Sequence, residues 1–273
     1  MRKETVSLPS GAEVVLRQLL MREENILAQS ARSRGRNKNN VLNTVLDSCL
    51  VEWVDVGPYT GVNPGDRPVT RSLLMGDKFV LMIELRKITY RDGEKYPIHG
   101  VECPSGSCPL FDYEVDLETD LVRRDLDEED LAVVVSGEPF SCEIAGKKIT
   151  FTLASGKTEE ALEKLVKHNP GRAMSCALRS RIVDVEGVER RDILDWLDGN
   201  NGHSKTFDGL GGQECEDLRD AFDLHECGVD TEVAIECPHC GREEMLDLPF
   251  DSGFLLPSKG IKERKKNRRH GQG

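Results

Sequence analysis

Four cysteines stand in two close pairs, and each pair is flanked by strand-like residues. Cys237-Pro238-His239-Cys240-Gly241 has the spacing of a zinc knuckle, in which a tight turn aims two thiolates at one ion and glycine accepts the turn's backbone angles. The second pair is Cys103 and Cys108, with Pro-Ser-Gly-Ser between them, at the loose end of the usual ligand spacing. Structural zinc takes four ligands, so Cys103, Cys108, Cys237 and Cys240 are the candidate set for one closed zinc site. The alternative is a metal-free relic of a zinc ribbon. Cys-Pro-His-Cys also occurs as the active site of disulfide oxidoreductases. That chemistry needs a helix N-terminus to lower a thiol's pKa, after the first strand of a βαβ unit. Here Cys240 leads into Gly241-Arg242-Glu243-Glu244-Met245-Leu246-Asp247-Leu248-Pro249, which is short, acidic and stopped by proline, near the end of the chain.

Other candidates are weaker. His225 and Cys227 are possible additional ligands, although a histidine closing an amphipathic helix is more often a cap or surface residue. Cys49, Cys142 and Cys176 read as small core residues. Nine cysteines are an odd number and too few for a disulfide scaffold, so the thiols are expected to be reduced. There is no Walker loop, dinucleotide glycine pattern, nucleophile elbow or histidine-pair zinc protease motif, and no catalytic set is expected.

The elements that position the cysteines repeat along the chain. Leu8 to Leu16 reads as strand, tight turn, strand, and so does Ile144 to Leu153. Each is followed by an acidic first helical turn, Arg22-Glu23-Glu24 and Thr158-Glu159-Glu160. Val41, Leu42, Val45, Leu46, Cys49 and Leu50 share one helical face, as do Ala173, Met174, Ala177, Leu178 and Ile182. A third helix carries Leu85-Arg86 in the first copy and Leu218-Arg219 in the second, and a cysteine pair closes each copy. The expected fold class is therefore α+β, an internally duplicated unit of β-hairpin, three helices and Cys-bearing β-hairpin in a pseudo-twofold arrangement. Residues 1–118 form the first unit, 119–139 an acidic linker with a strand at Leu131–Val135, 140–257 the second unit, and 258–273 a basic tail. The second unit also carries an extra amphipathic turn at Ile193–Leu197 and a Gly/Asn-rich loop over Gly199–Gly212 that reads as flexible.

At 273 residues with 38% hydrophobic residues, the chain is long enough to bury a core without staples. It shows no leader of signal-peptide pattern and no run of apolar residues long enough to span a membrane, so a cytosolic protein without membrane association is expected. The net charge is −12, while Lys259 to Gly273 holds seven Lys/Arg against one Glu. The body is thus strongly acidic and the tail basic, which disfavours nucleic acid as a partner and predicts a disordered, dispensable tail. Arg32 to Lys38 reads as a solvated basic loop.

The succession of Leu8-Pro9-Ser10-Gly11, Arg22-Glu23-Glu24, Leu74-Met75-Gly76-Asp77 with Leu85-Arg86 and Thr89-Tyr90, Glu226-Cys227-Gly228-Val229-Asp230-Thr231, Glu236 to Gly241 and Phe254-Leu255-Leu256-Pro257 resembles the T-even type baseplate hub assembly chaperones of contractile-tailed phages. The likeness runs from Leu8 to Pro257, and it is the order of the motifs that carries it. The chain departs from the family's pattern in its stretched first cysteine pair, and in Leu255 and Leu256 where aromatic residues precede the final proline. The resemblance implies a non-enzymatic factor that assists hub assembly in the host cytoplasm, binding the baseplate hub or other tail proteins. A structural baseplate subunit retained in the virion shares every sequence feature. A zinc-ribbon nucleic-acid binder and a CxxC redox enzyme are the remaining alternatives.

Overall fold

The computed structural model describes residues 1–32, 38–103, 105–200 and 206–257. Most of the Arg32–Lys38 loop, the centre of the Gly/Asn-rich loop, Pro104 and the basic tail therefore lie outside the described residues. Among the described residues the fold is α+β, with short antiparallel sheets and helices interleaved along the chain.

Strands β1 (Lys3–Ser7) and β2 (Glu13–Arg17) form a hairpin; α1 (Met21–Arg32) and α2 (Lys38–Cys49) follow, and β3 (Leu50–Asp55) returns to pair antiparallel with β2. Next come α3 (Met75–Thr89) and the hairpin of β4 (Lys95–Val101) and β5 (Phe111–Asp116). After β6 (Arg123–Arg124) and α4 (Glu128–Ser136), a second hairpin, β7 (Phe140–Ile144) and β8 (Lys147–Phe151), leads into α5 (Gly156–His168) and α6 (Ala173–Arg181). Strand β9 (Ile182–Val185) then pairs with β8 as β3 does with β2. The chain continues through α7 (Ile193–Asp198), α8 (Gly212–Leu224) and β10 (Gly228–Val229), and the hairpin of β11 (Glu232–Glu236) and β12 (Glu243–Asp247) closes it. The halves share the order hairpin, two helices, third strand; the first then has α3 before its Cys-bearing hairpin, whereas the second has α7, α8 and β10 before its own. Val14 and Ile149 each sit on the middle strand of a three-stranded sheet.

Local chemistry explains most boundaries. Ala145 and Gly146, with φ of 52° and 67°, make the two-residue turn between β7 and β8, as a type I′ hairpin requires. Ser155 caps α5 in a capping box with Thr158. Two expectations are corrected. Leu131–Val135 is not a strand but the body of α4: Asp127 caps the N-terminus by accepting from the Asp130 amide, three acidic residues fill the first turn, and Gly137 ends the helix in the left-handed region. These end signals outweigh the strand preference of three consecutive valines. Leu50 and Ile182 likewise do not extend their helices but open β3 and β9. The β-branched and aromatic residues of Val51-Glu52-Trp53-Val54 and Ile182-Val183 find a sheet edge to pair with there.

The buried side chains fall into two clusters that do not follow the linker. The first holds β1–β3, α2, α3 and the β4–β5 hairpin, and it also takes in Val233, Ile235, Cys237, Leu248, Phe254 and Leu255 from the end of the chain. The second gathers β7–β9, α7 and α8 around Phe151, Trp196, Leu218 and Phe222, with Leu74. Both cysteine hairpins therefore belong to one core. Helix α3 joins the clusters. Its Met75 amide donates to Ala154 O at 2.9 Å, its buried Lys78 pairs with Glu159 at 2.5 Å, and a Cβ on Gly76 would lie 1.9 Å from Cys227 O. No larger residue fits at Gly76 without moving backbone.

Glu23 anchors α1 to the first sheet. Burial alone would raise its carboxyl, but hydrogen bonds from Arg17, Arg22 and the Leu20 amide outweigh it and hold the pKa at about 2, below the ordinary 4.5. A depressed carboxyl contributes stability above pH 4.5 that is lost as pH falls through about 2. Thermal melting followed through that window should show a drop in Tm for the parent protein. In Glu23→Gln, already destabilised at neutral pH, that component of the drop should be missing.

Candidate metal centre

Cys103 follows β4 and Cys108 precedes β5; Cys237 follows β11 and Cys240 precedes β12. Each pair thus occupies the turn of its own hairpin. Glycines shape both turns: Gly106 (φ 64°) donates its amide to Cys103 O at 2.8 Å, and Gly241 (φ 70°) donates to Cys237 O at 2.9 Å. Left-handed backbone at these positions lets each turn curl tightly enough to bring its thiols to one side.

The fold brings the two turns together. The Sγ atoms of Cys103, Cys108, Cys237 and Cys240 all lie within 4.8 Å of one another, with Cys103 and Cys240 at 3.5 Å. A tetrahedral ion with Zn–S bonds of about 2.3 Å sets its sulfurs about 3.8 Å apart, so this cage has the size for a single ion. The same sulfurs are too far apart for a disulfide bond of about 2.05 Å, and the cysteines are free. Cys103 and Cys237 form the buried floor, Cys108 is half-buried, and Cys240 is exposed at the rim. The longer Cys103–Cys108 spacing does not keep that pair from the other.

Ser105 supports the site from inside that longer loop. Its hydroxyl lies 3.1 Å from Cys103 Sγ and 3.6 Å from Cys108 Sγ. The Ser105 hydroxyl, the Ser105 amide and the neighbouring thiols of Cys240 and Cys237 bring the Cys103 thiol from its ordinary 9.0 down to about 6. A thiolate is what a soft metal ion binds. Nothing in the sequence singled out Ser105, beyond its place between two ligands.

The other cysteines are placed elsewhere. Cys49 is in the first core, where burial pushes its thiol up to about 12. Cys142 and Cys227 belong to the second cluster, and Cys176 is buried on α6. His225 does not approach the sulfurs. Its Nδ1 lies 2.8 Å from Asp130 Oδ1, and its ring packs on Phe140 with centroids 4.5 Å apart, joining α8 to α4 and β7. Cys237 and Cys240 sit in a β-turn leading into β12, not at a helix N-terminus, so the dipole that activates oxidoreductase thiols is not supplied by a following helix. A cleft of about 320 Å³ between the clusters is lined by Phe79, Arg181, Glu226 and Asp230; its half-buried charges, Arg181 and Glu226, pair with each other at 2.5 Å. Comparisons of the chain with protein-family models, curated proteins and solved structures find no match.

Proposed function

We propose that this chain is a non-enzymatic protein-binding factor for assembly of the baseplate hub of a contractile phage tail, with one zinc ion on Cys103, Cys108, Cys237 and Cys240 stapling its halves. The observation that carries the stapling ion is the four-sulfur cage, in which Cys103 and Cys240, 137 residues apart in sequence, bring their sulfurs to 3.5 Å. Four thiolates saturate a tetrahedral ion and leave no position for water or substrate, which makes the ion structural. An all-sulfur set favours zinc or iron over magnesium or calcium.

The assignment to tail assembly rests on the resemblance alone; in the fold, the stretches that carry it meet in space. The Ser10 amide donates to the buried Asp77 at 3.0 Å, Gly76 packs on Cys227 and Gly228, and Arg86 and Tyr90 hold the carbonyls of Phe254 and Leu255. These are the joints between the first half and the end of the chain, where substitutions are costly.

Recovery of the tagged protein from phage-infected cells, with its companions identified by mass spectrometry, tests the reading. Hub or tail proteins in stoichiometric amounts are expected, and their absence overturns it. Copy number in purified particles separates a chaperone that leaves from a subunit that stays.

A further inference from the structure

The β11–β12 hairpin buries Val233 and Ile235 against the first core and leaves its other face uncovered. In the antiparallel register Glu232 stands opposite Asp247, Ala234 opposite Met245 and Glu236 opposite Glu243, and all six are exposed. Like charges directly opposite one another destabilise a strand pair. None of the four carboxylates forms an ion pair among the described residues. Two other hairpins do the reverse: Lys95 on β4 lies 3.6 Å from Glu114 and 3.8 Å from Asp116 on β5, and Glu143 on β7 faces Lys148 on β8. Between the two acidic rows of β11–β12 sits Met245, 57% exposed. The hairpin that carries the second cysteine pair thus presents an uncompensated pattern of acidic row, apolar centre, acidic row.

We propose that this face docks a basic segment of a partner protein, with Lys or Arg, an apolar residue and again Lys or Arg at alternate positions. The inference rests on the protein-binding reading above and gives the partner's chemistry. Rows on neighbouring exposed positions of one strand are about 7 Å apart, which is also the spacing of alternate residues in an extended ligand. Charge complementarity supplies the attraction and the correct register puts the apolar residue on Met245. The chain's own basic tail matches less well, because the alternation Lys259, Ile261, Glu263 places a carboxylate where a cation is needed.

The probe is the peptide Lys-Ser-Lys-Ser-Leu-Ser-Lys-Ser-Lys, titrated into the full-length protein and followed by backbone amide NMR. Shifts concentrated in residues 232–236 and 243–247 are expected, with affinity at least tenfold weaker in the variant E232Q/E236Q/E243Q/D247N. That variant should keep its metal and melt at a higher temperature, since the opposed charges are gone. A permuted peptide with its lysines contiguous, at the same charge, should bind more weakly. Equal binding by the variant, equal binding of the permuted peptide, or no shifts at this face overturns the inference. So does a gain in affinity on truncation after Pro257, which makes the tail the occupant. Metal content is read on the same samples: loss of metal from the parent counts against the zinc reading, and failure of the peptide with metal in place counts against this inference alone.

Discussion

Cys103→Ser should lose most of the zinc bound by the purified protein, and Cys237→Ser should do the same, from a parent carrying one ion per chain. The geometry makes the two losses equivalent. Each cysteine pair alone leaves a tetrahedral ion half exposed, whereas the cage of four sulfurs within 4.8 Å closes it. Removing any sulfur returns the ion to a three-ligand site with an open position, and metal affinity falls steeply. Binding to structural zinc sites is on the order of 10 kcal/mol in small zinc domains, and because the site forms only in the folded chain, that energy is folding energy. Loss of the ion should therefore release the β4–β5 turn from the β11–β12 turn and lower Tm by many degrees. Chelation of the parent should reproduce both effects. Metal analysis of the two variants beside the parent decides the matter. Unchanged metal content in Cys103→Ser would show that the pairs bind independently, and a parent without metal would show that the turns are held by packing alone. Iron in place of zinc would leave the geometry intact and change only the ion.

The cage was legible in the sequence because its signal is local. A cysteine pair in a strand-flanked turn reads directly as a ligand pair, and the repeated order of elements suggested that two such turns meet. The hairpins and helix starts were legible for the same reason, through Ala145-Gly146, Ser155 and the acidic first turns. What the sequence hid was decided by longer-range or competing effects. Val133-Val134-Val135 has strand chemistry, and only the caps at Asp127 and Gly137, which act together over ten residues, make it helical. The starts of β3 and β9 depend on an edge supplied by β2 and β8, which lie far away in sequence. The membership of the last hairpin in the first core was also invisible, because apolar periodicity shows that a face is buried and not what covers it. Gly76 and Gly228 mark where it crosses over; both stand in stretches that carry the resemblance, but nothing in the sequence shows that they meet.

Arg86→Ala should destabilise the protein by about 3–5 kcal/mol, which is a large share of a typical domain's stability. Arg86 on α3 is 2% exposed. Its guanidinium donates to Phe254 O at 2.7 Å, Leu256 O at 3.0 Å and Lys95 O at 3.2 Å, and lies 5.1 Å from the ring centroid of Tyr96 and 5.7 Å from that of Phe254. Burial lowers its pKa, so the charge is tolerated because these carbonyls and ring faces replace its water. Alanine would strip the donors from these carbonyls, each worth about 1–3 kcal/mol when left unpaired in the interior, and open a cavity among Tyr90, Tyr96 and Phe254. Two substitutions separate these costs. Arg86→Met keeps most of the volume and loses the donors, and should recover only the packing part. Arg86→Lys keeps a charge but lacks the planar fork that reaches three carbonyls at once, and should remain well below the parent. The effect should also reach the metal. Lys95 begins the hairpin of Cys103 and Cys108, and Phe254 closes the segment after the hairpin of Cys237 and Cys240, so Arg86 ties both ligand-bearing hairpins to one helix. Urea unfolding of Arg86→Ala with and without a chelator measures that link. If the ion and Arg86 hold the same two hairpins together, the chelator should cost the variant a different amount from the parent. Strictly additive losses would show that the two staples act on separate parts of the fold, and a loss under 1 kcal/mol for Arg86→Ala alone would mean that water replaces the guanidinium at no cost.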